Sequence, residues 1–123
     1  MSIVSTAVHY SHNYVEIAHY PASSLASSET IRLLILVVWP TLTAIGLLGY
    51  WLYARHAPGA CACLMLYSIL GLVTLGHFTS GSPHIPPFFY ATIFTDAAAG
   101  VAVLAFAAWF GVASAAPEDR APR

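Results

Sequence analysis

Three stretches of the sequence stay apolar over about 20 residues, the length at which a helix crosses the hydrocarbon core of a bilayer. They predict helices over about 30–54, 59–78 and 88–113. The first is opened by a capping residue, Ser28 or Thr30, and closed by Arg55, His56 and Pro58. Pro40 stands inside it, where it removes a backbone donor and kinks the helix, with Thr41 or Thr43 placed to satisfy the freed carbonyl. The second ends at Gly76-His77-Phe78. The third carries aromatic residues at both ends, Phe88-Phe89-Tyr90 and Trp109-Phe110, as anchoring at two interfaces requires. Between the last two, the proline-rich segment 79–87 reads as a turn outside the hydrocarbon. The fold class that follows is an all-α integral membrane protein: three transmembrane helices plus an N-terminal helix, a small four-helix bundle. Residues 1–113 are expected to form one membrane-embedded domain and 114–123 a disordered tail.

Composition narrows the function. Of the 123 residues, 59% are hydrophobic and 7% charged, against about 25% charged in soluble domains. There is no lysine, which excludes Schiff-base chemistry, a retinal pigment included. No basic patch of the kind nucleic acid requires is present. Cys61 and Cys63 form Cys-Ala-Cys within an apolar run and read as packing residues. The first 31 residues hold no Lys or Arg for the positive region of a secretory signal, so the N-terminal segment is expected to persist.

That segment holds the chemistry. Residues 9–20, His-Tyr-Ser-His-Asn-Tyr-Val-Glu-Ile-Ala-His-Tyr, contain three of the six histidines and one of the five acids. On a helix over about 3–20, His9, His12, Asn13, Glu16, His19 and Tyr20 share an arc of roughly 120°. His9-x-x-His12, His12-x-x-x-Glu16 and Glu16-x-x-His19 have the spacing of metal ligands on one helix face. A surface helix normally carries Lys or Arg on its polar face, and this one has none, which favours a buried or re-entrant placement.

Two further residues lie within the spans. Asp96, eight positions into the third, costs roughly 2.5–3.5 kcal/mol at that depth unless paired or protonated. An ion pair with Arg32 is the plain structural explanation. His77 closes the second span on a face shared with Cys63, Tyr67, Leu70 and Thr74, which is expected to point inward. His56 and His84 are expected in solvent.

The sequence-based reading is a pocket in which His9, His12, Glu16, His19, His77 and Asp96 hold a transition metal, Cu, Fe or Zn, for redox chemistry. Haem is the variant, with His12 or His19 opposite His77 as axial ligands. The alternatives are a hydrogen-bonded network that glues helices, a non-catalytic accessory subunit of a larger membrane enzyme, and a small transporter for protons or metal ions. Ala98-x-x-x-Ala102 and Ala107-x-x-x-Gly111 permit close backbone approach, within the bundle or between copies, and the thin core of so few short helices leads to the expectation of self-association or membership of a larger complex. Arg55 and the tail arginines, Arg120 and Arg123, place the C-terminus in the cytoplasm and the loops at 21–29 and 79–87 outside.

Overall fold

The structure is a computed structural model that describes residues 2–20, 26–78, 81 and 84–115. Among these residues there are four α-helices and no strand: α1 Ser2–Val15, α2 Ser28–Ala54, α3 Ala60–Val73 and α4 Pro87–Ala115. Short 3-10 turns follow α1, at Ile17–His19, and α3, at Thr74–Phe78. Three helices are long and apolar enough to cross a membrane: α2, α3 with its 3-10 extension, and α4. The tail arginines, and the turn at 79, 80, 82 and 83, lie outside the described residues.

Local chemistry explains the ends of α2. Ser27 caps it, its Oγ accepting from the Thr30 N–H at 3.2 Å, and Glu29 sits in the first turn, where the helix dipole favours an acid. The helix continues through Pro40. Thr41 Oγ1 donates to the Val37 carbonyl at 2.6 Å, beside the carbonyl that proline frees, whereas Thr43 Oγ1 is buried without a partner.

α3 is the central helix and lies against both α2 and α4. It meets α4 backbone to backbone. A Cβ on Gly71 would collide with the Asp96 carbonyl and stand 2.9 Å from Gly100 Cα, so glycine is what lets the two axes approach. Leu64, Tyr67, Leu70, Ile93, Ala97 and Ala107 form the core, and the expected inward face of α3 is buried at Tyr67, Leu70 and Thr74. Of the two small-residue pairs, Ala107-x-x-x-Gly111 is used inside the bundle, where Cys61 Sγ donates to the Ala107 carbonyl at 3.1 Å. Ala98 and Ala102 face outward.

The N-terminal segment differs from expectation. α1 stops at Val15, Glu16 leaves helical geometry (φ −104°, ψ 31°), and residues 17–19 tighten into the 3-10 turn. In a straight helix Tyr20 would lie about 12 Å beyond His12. The turn folds it back, so that its hydroxyl lies 2.8 Å from His12 Nδ1 and its ring 4.7 Å from that of His77. A tertiary contact therefore ends the helix.

α1 is also half-length. Its 14 residues rise about 21 Å, short of the roughly 30 Å hydrocarbon core. It runs antiparallel to α4: Ser5 meets Thr95, His9 meets Thr92, and His12 stacks on Phe89 with ring centroids 3.6 Å apart. At its C-terminal end the Tyr14 carbonyl accepts from Arg32 Nε at 3.1 Å, near the start of α2. So α1 enters at the end where α2 and α4 begin and reaches about half-way along α4.

Candidate functional site

Antiparallel docking of α1 brings its polar positions against those of α4 and the end of α3. Ser5, Thr6, His9, Tyr10 and Asn13 come from α1, Thr92, Thr95 and Asp96 from α4, Thr74 and His77 from the end of α3. Thr6, His9, Asn13, Thr74, Thr92 and Asp96 are all buried. The seam starts at His12 and Tyr20, passes His77, Asn13 and His9, and ends at Asp96.

Its hydrogen bonds determine where several protons sit. The Thr92 hydroxyl donates its one hydrogen to the Phe89 carbonyl at 2.7 Å, so its 3.2 Å contact with His9 Nδ1 requires Nδ1–H as the donor. His9 Nε2 is then an acceptor, and it takes a hydrogen from Asn13 Nδ2 at 3.1 Å. The same Nδ2 donates to His77 Nε2 at 3.0 Å. Deeper in, Thr95 Oγ1 donates to the Thr92 carbonyl at 3.1 Å, which leaves the Ser5 hydroxyl to donate to Thr95 at 3.0 Å. The Tyr10 hydroxyl donates to the Leu70 carbonyl at 2.9 Å.

Asp96 is the end of the seam and differs from the rest. Its side chain is 0% exposed. Ser5 approaches the carboxyl, yet neither oxygen closes a hydrogen bond. Among the described residues no arginine reaches it: Arg32 is bonded to the Tyr14 carbonyl, with its guanidinium 5.9 Å from the Tyr14 ring centre. The Asp96–Arg32 ion pair, the plain structural alternative to a histidine or metal contact, does not form: Arg32 is held at the C-terminal end of α1, whereas Asp96 lies by Ser5, near the other end.

Burial, with the nearby His77 and His12 rings adding to it, holds the His9 imidazole down to about 3, well under the ordinary histidine range. Burial likewise pushes the Tyr20 phenol up to about 12, so its hydroxyl stays protonated. A consequence is testable. Below pH 6.5 the unfolded chain takes up a proton on His9 that the folded protein refuses, so the contribution of His9 to stability is full above 6.5 and falls as pH drops from there toward 3. The slope is about 1.4 kcal/mol per pH unit. Thermal midpoints in detergent at pH 7.5 and pH 5 isolate this contribution when wild type and His9→Gln are compared: going to pH 5 should lower the wild-type midpoint relative to that of the variant.

The six candidate ligands do not converge. Among the described residues, no group of three or more His, Cys, Asp or Glu side chains is placed to hold a metal ion. Glu16 and His19 leave the seam because the helix that would have carried them ends at Val15. They pair with each other at 2.9 Å, with side chains 43% and 58% exposed. His9 and His77 do come together, their ring centres 5.3 Å apart, and His12 joins them through Tyr20. The pairing of His12 or His19 with His77 across a haem does not fit this packing, since Tyr20 contacts both His12 and His77, and His19 points away. His56 and His84 are exposed, as expected.

No protein-family model, curated protein or solved structure matches the chain. The site stands on its own geometry.

Asn13, Thr92 and Ser5 are the connecting residues that reading the sequence for ligands passes over. Asn13 lies within the histidine arc but is no metal ligand of choice, and threonines are ordinary in apolar helices. The available signal was spacing: Thr6, His9 and Asn13 at steps of three and four, Thr92 and Asp96 at a step of four.

Proposed function

We propose that this is a small multi-pass membrane protein that carries protons, with Asp96 as the proton-binding carboxyl midway across the bilayer and the α1 seam as the route to it. The observation that supports the reading best is the state of Asp96: fully enclosed, with both oxygens unbonded and no cation beside it among the described residues. An ionised carboxylate is too costly in such a place, so the resting group is the neutral acid, ready to exchange its proton. The seam supplies imidazoles and hydroxyls from the mouth at His12 and Tyr20 down to Ser5. Past Asp96 the core continues with Ser68 and Tyr67 and then narrows to Leu64, Ala60 and Ala107. Trp39 Nε1 and Thr43 Oγ1, one turn apart on α2, are further buried groups without partners. The Gly46–Tyr67 contact of antiparallel α2 and α3 sets Thr43 close to the level of Gly71 and Asp96.

In this reading the end bearing Ser28, His84 and Pro87 faces outward. Arg55, its guanidinium 4.0 Å from the Trp51 ring centre, marks the cytoplasmic interface. The test is proton uptake into proteoliposomes reported by an entrapped pH dye. Wild type should acidify the lumen faster than empty liposomes, and Asp96→Asn should remove the difference; an Asp96→Asn rate equal to wild type sinks the assignment. A groove of about 570 Å³ between α1 and α4 is lined in part by Ser5, Thr92 and Thr95; Asp96 itself is enclosed behind them, so labelling by a hydrophobic carbodiimide would report opening of the seam onto the carboxyl.

A second reading keeps the metal and is favoured by one feature. His9 and His77 aim their Nε2 atoms at a single point, Asn13 Nδ2. With the amide turned aside, two imidazoles would face a soft cation such as Cu(I). Elemental analysis of protein purified after copper exposure, with His77→Ala beside it, separates this reading from the proton carrier.

A further inference from the structure

We infer that Asn13 is a gate with two positions, which holds His9 and His77 in matching tautomers and closes the seam in the arrangement seen here. The gating role rests on the proton-carrier reading; the tautomer match rests on hydrogen-bond chemistry alone.

Asn13 is 3% exposed and ties α1 to the end of α3. Its carboxamide touches both imidazoles through the same atom, Nδ2, at 3.1 and 3.0 Å. The orientation of that amide follows from its surroundings. Thr92 spends its hydrogen on Phe89, His9 must donate from Nδ1, and His9 Nε2 can then only accept. An oxygen at the bridging position would put lone pair against lone pair, so the amino group must be there. His77 Nε2 faces that amino group as well, and it too must be bare.

Two bare nitrogens facing one donor cannot pass a proton between them. The amide offers hydrogens to both and has no low-cost way to relay one. In the opposite position the carboxamide oxygen would accept from both Nε2 atoms, each imidazole carrying its proton there, and Thr92 would turn its hydroxyl to the vacated His9 Nδ1. Every hydrogen remains accounted for: one leaves Nδ1 and one arrives at Nε2 on each ring. A mixed state, with one Nε2 bare and the other protonated, leaves one contact repulsive whichever way the amide points. The two rings therefore change together.

The far end of the amide prefers neither position. As placed, Asn13 Oδ1 is buried and unbonded; after a flip, the amino group would occupy that same unbonded place. One polar end is sacrificed either way, so the amide itself adds little preference and the tautomers of the two rings decide its orientation, Nδ1–H going with the arrangement seen here. The titratable groups around the bridge are His9, Tyr10 and His12 on α1, Tyr20 after it, His77 at the end of α3, and Asp96 on α4.

Nitrogen-15 NMR of histidine-labelled protein at neutral pH tests the inference, with signals assigned through single His→Phe variants. Wild type should show His9 and His77 both protonated at Nδ1. Asn13→Asp keeps the shape but presents only acceptors, and it should move both rings to Nε2–H. Asn13→Leu, which offers neither, should release His77 to a mixture. A wild-type spectrum with one ring of each tautomer, or Asn13→Asp spectra unchanged from wild type, overturns the gate. The uptake assay on Asp96→Asn is independent: its failure removes the proton-carrier reading and leaves the tautomer result intact.

Discussion

Gly71→Ala is expected to be among the most damaging single substitutions in the protein, lowering its stability in detergent by an amount at the top of the roughly 1–3 kcal/mol that overpacking costs. What a new methyl group would strike explains the size. Its neighbours are the Asp96 carbonyl and the Gly100 Cα and N, the latter two at 2.9 Å, all of them backbone. A side chain can rotate away; two packed helices have to separate. Separation of α3 from α4 also spoils the seam, since His77 and Thr74 hang from one helix and Thr92 and Asp96 from the other. Gly76→Ala is the control, because nothing lies within 4 Å of its Cβ position. Thermal melts should show a large loss for the first and no change for the second, and equal melts would mean that the helix approach is looser than the structure has it.

Asp96→Ala should move stability the other way, raising it by about 1 kcal/mol or more, while proton uptake disappears. An unbonded buried polar group costs about 1–3 kcal/mol, and Asp96 has two such oxygens. Alanine fits among Ala97, Ala98 and Ala99 without adding volume, so the small space left behind offsets only part of the gain. The same purified variant answers both questions in a melt and a dye assay. A less stable Asp96→Ala protein would show that the carboxyl does have a partner, and the reading of a proton-binding acid would fall with it.

The spans were legible because bilayer length and hydrophobicity act on each helix alone. α2, α3 with its 3-10 end, and α4 each begin and end within two residues of their expected positions. The N-terminal helix was legible only to Val15. Ile17 and Ala18 prolong the apolar pattern and no glycine or proline interrupts it before residue 21, so nothing local announces the break. The cause is remote: the grip of His12 and His77 on Tyr20. That one contact also decides the site. His9, His12 and Asn13 stay on the helix and come together, whereas Glu16 and His19, equally good ligands on paper, are carried out to solvent. Asp96 was recognisable as exceptional from depth alone. Which neighbours it would have depended on the register of α1 against α4, and that follows from no single segment.

The surface that receives α1 is built by elements synthesised after it. Thr92 and Thr95 belong to the last helix, and His77 to the end of the one before. The surface that seats α1 is complete only once α3 and α4 have come together, and α1 itself, 14 residues long, bears no lysine or arginine. Its imidazoles and amide are the links that seat it. Seating α1 therefore depends on residues 83 and 90 positions further along the chain.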